Sequence, residues 1–406
     1  MSDVKFHLWL CPHLFSDDAR ACVHAHAIAR SYRLTPLIPL LCRMAPTTAA
    51  MLRMPQPPPN SYWGHIAAFT DRFTLQLPGR AWERDVFERG IDPDVDDPTR
   101  CHSHSEALVE WPPATALAAY AAEVDRALRA KVAKKGITRD TLAALEHGDM
   151  HHETLMYMGM EAGWRHAPVH PWAAFADGRD AGHERCAEAT GMADVPGQCV
   201  RLGATAKDAA AVGFVWDNEL PGPHELVVAP FHCSLAAITN REFAVFVEAG
   251  GYNCPEHWQF GEEHGSASAW GWCQRNALQH PSTWMGSPGS WGVRTLCDGP
   301  VPLAQSGDWP AMVTLYEAMA YCRWHGKGAR IMTEPEYHAL FTDDDAFRDA
   351  GRRGNNNWKY RGFVPVGAMD DAAAGSGAFD LVGNGWEWTS TPFGQLPGFS
   401  AHQGAF

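Results

Sequence analysis

Basic charge is scarce in this chain. Its 406 residues hold 33 Lys and Arg against 47 Asp and Glu, a net charge of −14. Nucleic acid and anionic membrane both require a basic face, so neither is expected as a partner. Long apolar runs are missing as well: no stretch approaches the roughly 18–20 apolar residues of a membrane span. The apolar start FHLWLCPHLF, residues 6–15, contains Pro12 and His13, and no small-residue cleavage site follows it, so no signal peptide is expected. The 11 cysteines include no C-x-x-C pair, and their count is odd. Scattered cysteines of this kind read as reduced thiols in a cytoplasmic setting. No internal repeat is visible. What remains is ordinary globular composition, 46% hydrophobic and 20% charged, and enough chain for two domains with a sizeable core each.

The most informative stretch is RDTLAALEHGDMHHETLMYMGMEA, residues 139–162. Thr138 or Asp140 can cap it, no proline interrupts it, and Leu142, Leu145, Thr154, Leu155 and Met158 recur at helical spacing. His147 and His151 lie four residues apart and therefore on one face, where both ring nitrogens can converge on one metal ion. His152 points elsewhere. In a zinc-protease helix the first His is followed by a Glu that acts as general base; here Gly148 stands there, so the protease reading loses its base. The best third ligand is His65 in NSYWGHIAAFTDRF, residues 60–73, set among Trp63, Ile66, Ala67, Phe69 and Phe73. A lone His in such an aromatic wall is more often a satisfied core residue. Three neutral imidazoles suit ferrous iron, zinc, copper or nickel, and the ligands alone do not choose.

Residues 1–54 carry no interpretable pattern, since apolar LTPLIPLLC, 34–42, is broken by two prolines. The proline-rich turn MPQPPPNS, 54–61, leads into the His65 helix. Residues 88–106 are acidic and turn-forming; His102 and His104 there read as solvated loop histidines before a metal pair. WPPATALAAYAAEVDRALRAKVAKKG, 111–136, reads as an amphipathic helix ended by Gly136. Residues 55–165 are thus expected to be a helical bundle with ligands projecting inward. Residues 166–200, rich in Pro, Gly, Ala and His, read as a linker. From 201 glycine, tryptophan and short apolar runs dominate. ELVVAPFHC, 225–233, reads as a strand. TNREFAVFVEAGG, 239–251, reads as a helix capped by Thr239 or Asn240 and stopped by Gly250. LYEAMAYCRWHGKG, 315–328, reads as another. Seven tryptophans from Trp258 to Trp324 imply irregular backbone around an aromatic core. The expected fold class is α+β multidomain.

These pieces resemble a known family. His65 in an aromatic helix, followed by His147-x-x-x-His151-x-Glu153, is similar to the DinB-like helical domain of the ergothioneine-type non-haem iron sulfoxide synthases. FDLVGNGWEWTSTPF, 379–393, resembles the signature of their second domain, which has the fold of the formylglycine-generating enzymes. VWDNE at 215–219, ITNREFAVFVEAGGY at 238–252, WGVRTL at 291–296 and EAMAYCRWHGKGARIMTEPEYH at 317–338 extend the resemblance across roughly 55–399. It implies Fe(II) as cofactor on His65, His147 and His151. It further implies O2 and a small-molecule thiol donor as partners, joined to the imidazole carbon of an N-methylated histidine as a sulfoxide. A selenol donor, giving the carbon–selenium bond of selenoneine biosynthesis, is equally compatible with these residues.

Other roles rest on position. Glu153 is placed to hold a ligand ring or its neighbours from outside the coordination sphere. Arg72 and Arg100 are candidates for the donor's carboxylate, because a guanidinium pairs with it through two parallel hydrogen bonds. In the family a tyrosine often assists oxygen reduction; where relatives place an aromatic before Pro-Gly-Phe, this chain has Leu396, leaving Tyr62 and Tyr157 as candidates. The resemblance also implies a further arginine-containing segment that binds the histidine-derived substrate, and the chain is expected to lack it beyond Phe406. Competing readings are a DinB-type thiol transferase using zinc or nickel, a formylglycine-type oxidase, and an inactive scaffold. The oxidase needs paired cysteines late in the domain, and Cys297 and Cys322 precede the signature and are not adjacent.

Overall fold

The computed structural model describes residues 59–87, 112–161, 189–212, 215–260, 266–295, 299–341, 354–355, 360, 362–369, 376–392, 394 and 396–399. Residues 1–54, Arg100, His102 and His104 lie outside them. The described residues form two compact units, one drawn from 12–168, 203–223 and 394–406, the other from 169–202 and 224–393.

The first unit is helical. Helix α1, Pro59–Thr70, continues into a π-helical turn at Asp71–Leu75, closed by Gln76 in the left-handed region (φ 54°). Helix α2 is Ala81–Phe87, α3 is Ala114–Lys135 and α4 is Arg139–Glu161. Helix α3 starts three residues later than its sequence pattern suggests. Pro113 holds an extended conformation at the cap, and a residue preceding proline is sterically pushed out of the helical region. Its other end follows expectation: Gly136 at φ 74° donates its N–H to Val132 O, and Lys134 and Lys135 face the negative end of the helix dipole. Leu117, Tyr120 and Val124 pack with Ala67, Ala68 and Phe87 to form this unit's core. Helix α4 is capped by Thr138. Its hydroxyl accepts from Thr141 N at 3.4 Å, and Thr141 Oγ1 accepts from Thr138 N at 2.7 Å. Thr141 thereby plays the part Glu or Gln plays in a capping box.

One buried carboxylate ties these helices together. Asp71 is wholly buried and accepts from Leu77 N (2.6 Å), Arg84 (3.1 Å) and Tyr120 OH (3.0 Å). It therefore joins the end of α1 to α2 and α3. Burial first, and then the Asp71 charge, raise the Tyr120 phenol above its ordinary range, so it remains a donor. Thr74, on the π-turn, donates to Asp140 O in the first turn of α4 at 3.0 Å and accepts from Lys131 of α3. The same unit includes α5, Ala206–Val212, and a loop in which Ala204 N donates to Glu219 O and Gly222 N to Ala204 O.

The second unit mixes short strands, short helices and much irregular chain. Strand β1, Met192–Val195, pairs antiparallel with β4, Phe231–Ser234; β2, Gln198–Leu202, pairs with β3, His224–Val228. The stretch read as a linker therefore ends in strand, and the strand expected over 225–233 is two strands with different partners. Ala229 and Pro230 divide them, since proline has no N–H to continue a ladder. Helix α6 is Asn240–Glu248 and α7 is Ser266–Arg275. Strands β5 (Trp284–Met285), β6 (Gly292–Val293) and β7 (Val301–Pro302) make a small antiparallel sheet, followed by α8, Leu303–Ser306, α9, Leu315–His325, and α10, Glu334–His338.

Three T-x-x-E capping boxes start α6, α9 and α10, on Thr239/Glu242, Thr314/Glu317 and Thr333/Glu336. Phe243, Phe246, Tyr252, Trp258 and Trp284 fill the core. Their polar atoms are served where they sit: Trp284 Nε1 donates to Asn240 Oδ1, Trp258 Nε1 to Gly251 O, and Tyr252 OH to Glu317. Irregular backbone is tolerable here because side chains meet some of its carbonyls: Trp258 Nε1 serves Gly251 O, and Asn240 Nδ2 serves Ser306 O and Trp309 O.

Two outcomes follow. Asp71→Asn leaves Arg84 partly buried without its counter-charge, and should destabilise the helical unit by about 3 kcal/mol in chemical denaturation. Glu336 is held down at about 2, chiefly by Arg330, then by the Thr333 N–H and hydroxyl. Its carboxylate thus contributes stability above the ordinary carboxylate range and loses it as pH falls toward 2. The stability gap between wild type and Glu336→Gln should be about 1.5–3 kcal/mol at neutral pH and shrink across that acid window.

Candidate metal centre

Helix α4 presents His147 and His151 on one face, as the four-residue spacing requires. Their Nε2 atoms are 3.0 Å apart, and the rings meet edge to face at 76° with centroids 4.4 Å apart. His65, from α1, brings its Nε2 to 3.1 Å from His147 Nε2. Among the described residues these three form the one cluster of potential ligands, all within 4.8 Å of one another. His147 and His151 are buried, and His65 is half-buried.

The spacing is informative about what the cluster can hold. With metal–nitrogen bonds of about 2.1 Å, ligands at right angles on an ion sit about 3.0 Å apart, whereas a tetrahedral angle spreads them to about 3.4 Å. The 3.0 and 3.1 Å spacings from His147 are close to these values, so the nitrogens stand near enough to share one ion. A proton on His147 Nε2 could serve only one of its two neighbours. Burial first, then the neighbouring His151 and His65, hold the His147 imidazole well below its ordinary pKa. It is therefore neutral near pH 7, with a lone pair to offer.

His65 is oriented from behind. Its Nδ1–H donates to Phe87 O at 2.6 Å, which places the lone pair on Nε2, toward the other two rings. Phe87 reaches that position because Gly64 has no side chain: a Cβ there would lie 2.3 Å from the Phe87 ring. His147 is held differently, by a stack on Phe69 with ring centroids 3.6 Å apart and planes 9° from parallel. The sequence pattern flagged neither arrangement, although a glycine inside an apolar helix signals a close approach.

Of the remaining candidates, Arg72 stands half-buried on the π-turn seven residues after His65. Tyr62, His152, Glu153 and Tyr157 lie on α1 and α4, with side chains outside the described residues; Arg100 is outside them altogether. The signature segment is built into its own unit. Asn384, at φ 58°, accepts from Val364 N and donates to Val364 O, at 2.9 and 3.0 Å, and Asp380 accepts from Gly367 N. Trp388 Nε1 donates to Val313 O. Leu396 packs on Gly203, where a Cβ would come within 2.7 Å of it.

Residues 180–405, more than half of the chain, match the sulfatase-modifying factor enzyme 1-like domain. The chain belongs to this family. Relatives of the chain include ergothioneine biosynthesis protein 1 of Neurospora crassa, 32% identical over 311 residues, covering 71% of this chain and 34% of the relative. Hercynine oxygenase of Mycolicibacterium smegmatis is 32% identical over 221 residues, covering 51% of this chain and 46% of the relative. Formylglycine-generating enzyme of Thermomonospora curvata is 29% identical over 227 residues, 49% of this chain and 71% of the relative. The chain thus spans between a third and a half of the length of the ergothioneine-type relatives. The resemblance to the ergothioneine-type sulfoxide synthases is borne out by these relatives. No described helix is long and apolar enough to cross a membrane.

Gly64→Ala should push Phe87 off α1 and take its carbonyl away from His65. The expected result is about 1–3 kcal/mol of lost stability from overpacking, with cobalt(II) or iron(II) bound about 10-fold more weakly. Chemical denaturation and metal titration of the same variant measure the two effects.

Proposed function

We propose that the chain carries the oxygen-dependent step of ergothioneine-type biosynthesis, with Fe(II) held by His65, His147 and His151. In this reading it joins a cysteine-type thiol, or a selenol in the selenoneine case, to the imidazole carbon of an N-methylated histidine. The observation that carries the proposal is the trio of Nε2 atoms with neighbouring spacings of 3.0 and 3.1 Å, in a chain whose relatives include hercynine oxygenase. The helical unit corresponds in this reading to the DinB-like domain.

An iron(II) ion bound there would supply one-electron chemistry with O2 and a common point of attachment for the sulfur or selenium donor. The protein's part is positional and electrostatic. An ion held by these three imidazoles would keep about half of an octahedral coordination sphere open to small molecules, so donor, acceptor and oxygen would meet without a three-body encounter. Burial keeps His147 unprotonated, and the Phe87 carbonyl holds the His65 proton on Nδ1, so the nitrogens facing the site stay available. Tyr62 and Tyr157 remain the candidates to deliver a proton; Arg72 and Arg100 remain those for the donor's carboxylate; Glu153 remains the one to steady a ligand ring. Soluble, cytoplasmic operation fits small polar substrates.

The test is anaerobic loading with iron(II), followed by oxygen uptake and mass spectrometry of products. N-methylated histidine would be offered with cysteine, γ-glutamylcysteine or a selenol donor. Uptake should require the thiol or selenol, because an anionic sulfur or selenium ligand makes iron(II) easier to oxidise. His147→Ala and His151→Ala should each abolish metal-dependent turnover. Iron binding without oxygen uptake for any donor would overturn the oxygenase reading in favour of a metal-dependent thiol transferase.

A further inference from the structure

We infer that Phe69 is a positioning residue of the metal centre, its ring face fixing the plane of His147 in place of the hydrogen bond that usually orients a ligating histidine. The inference rests on the metal reading above. A ligating imidazole normally donates its outer N–H to a carbonyl, carboxylate or water, and that bond sets the ring's plane and raises its basicity. His65 follows the rule through Phe87 O. His147 does not. Its Nδ1 is buried and finds no acceptor among the described residues.

Something else must set the ring, because rotation about the bond from Cβ to an imidazole is broad and only roughly two-fold. Phe69 does so. It is buried, lies on α1 four residues after His65, and covers the His147 ring at 3.6 Å and 9°. Phe73 in turn packs against Phe69, with centroids 4.5 Å apart at 46°. One turn of α1 therefore supplies a ligand, His65, and the plate that aligns another. The arrangement has an electronic consequence: with no acceptor on its outer nitrogen among the described residues, His147 should be a poorer electron donor than His65. The two ligands should differ measurably in the bound state.

The experiment uses the full chain and cobalt(II) alone as probe. Phe69→Leu keeps apolar volume and removes the flat face; Phe69→Tyr keeps the face. Loss of an aromatic stack corresponds to about 2- to 10-fold in affinity. Phe69→Leu should therefore bind cobalt(II) about 2- to 10-fold more weakly, with altered d–d absorption bands, while Phe69→Tyr stays close to wild type in both. Unchanged affinity and bands in Phe69→Leu would overturn the inference and leave the metal reading standing. A wild-type chain that binds no cobalt(II) would overturn the metal reading, and this inference with it. A second measurement needs no variant. In imidazole 15N–1H spectra of the zinc(II)-loaded wild-type chain, the outer N–H proton of His147 should resonate upfield of the hydrogen-bonded one of His65. Two equally downfield outer protons would show that His147 has an acceptor and would refute the substitution of stack for hydrogen bond.

Discussion

Asp71 sits with no solvent contact and accepts three hydrogen bonds, from Leu77 N, Arg84 and Tyr120. A buried carboxylate is tolerated only when its lone pairs are met and its charge is balanced, and each of those needs is filled from a different part of the helical unit. The α1 helix, the α2 helix and α3 are therefore held in one arrangement by one group. The π-turn that Asp71 begins carries Thr74, whose bond to Asp140 O locks the first turn of α4 to the end of α1. His65 lies on α1 and His147 and His151 on α4, so the ångström-scale convergence of the three imidazoles depends on that junction.

The second unit solves a different problem. Its strands are two to five residues long, too short to hold a sheet by ladder bonds alone. Threonine–glutamate caps fix where α6, α9 and α10 start, and indole and phenol groups are matched to Asn240, Gly251 and Glu317 within the aromatic core. In the signature segment, Asn384 answers both the N–H and the carbonyl of Val364. That residue acts on the backbone around it, a structural role for at least part of a motif whose resemblance is functional.

Local signals were legible. Thr138, the apolar spacing of Leu142 and Leu145, and the interval between His147 and His151 describe α4 without a structure, because cap, stripe and face are all set within a turn or two of helix. The capping boxes at Thr239, Thr314 and Thr333 are equally local. Legibility failed where neighbours in space are far apart in the chain. ELVVAPFHC looks like one strand, yet its halves pair with different partners on either side of Pro230. The proline was visible; the two partners, at 192–202, were not, because short strands in a Gly- and Pro-rich stretch carry too few residues for a period to show.

The sequence by itself determined that two histidines share a helical face, that a third stands in an aromatic helix, and that a signature of the sulfatase-modifying factor family follows. The first two depend only on spacing and residue type, and the third on resemblance to a known family. The tertiary structure alone decided that the third histidine joins the other two, 82 positions before His147, and that two of the rings have partners of their own: for His65 the carbonyl of Phe87 admitted by Gly64, for His147 the face of Phe69. Imidazole orientation is a matter of a few tenths of an ångström and of rotation about a soft bond. Only the packing of α1 and α2 around it fixes that, and no periodicity in the chain encodes it.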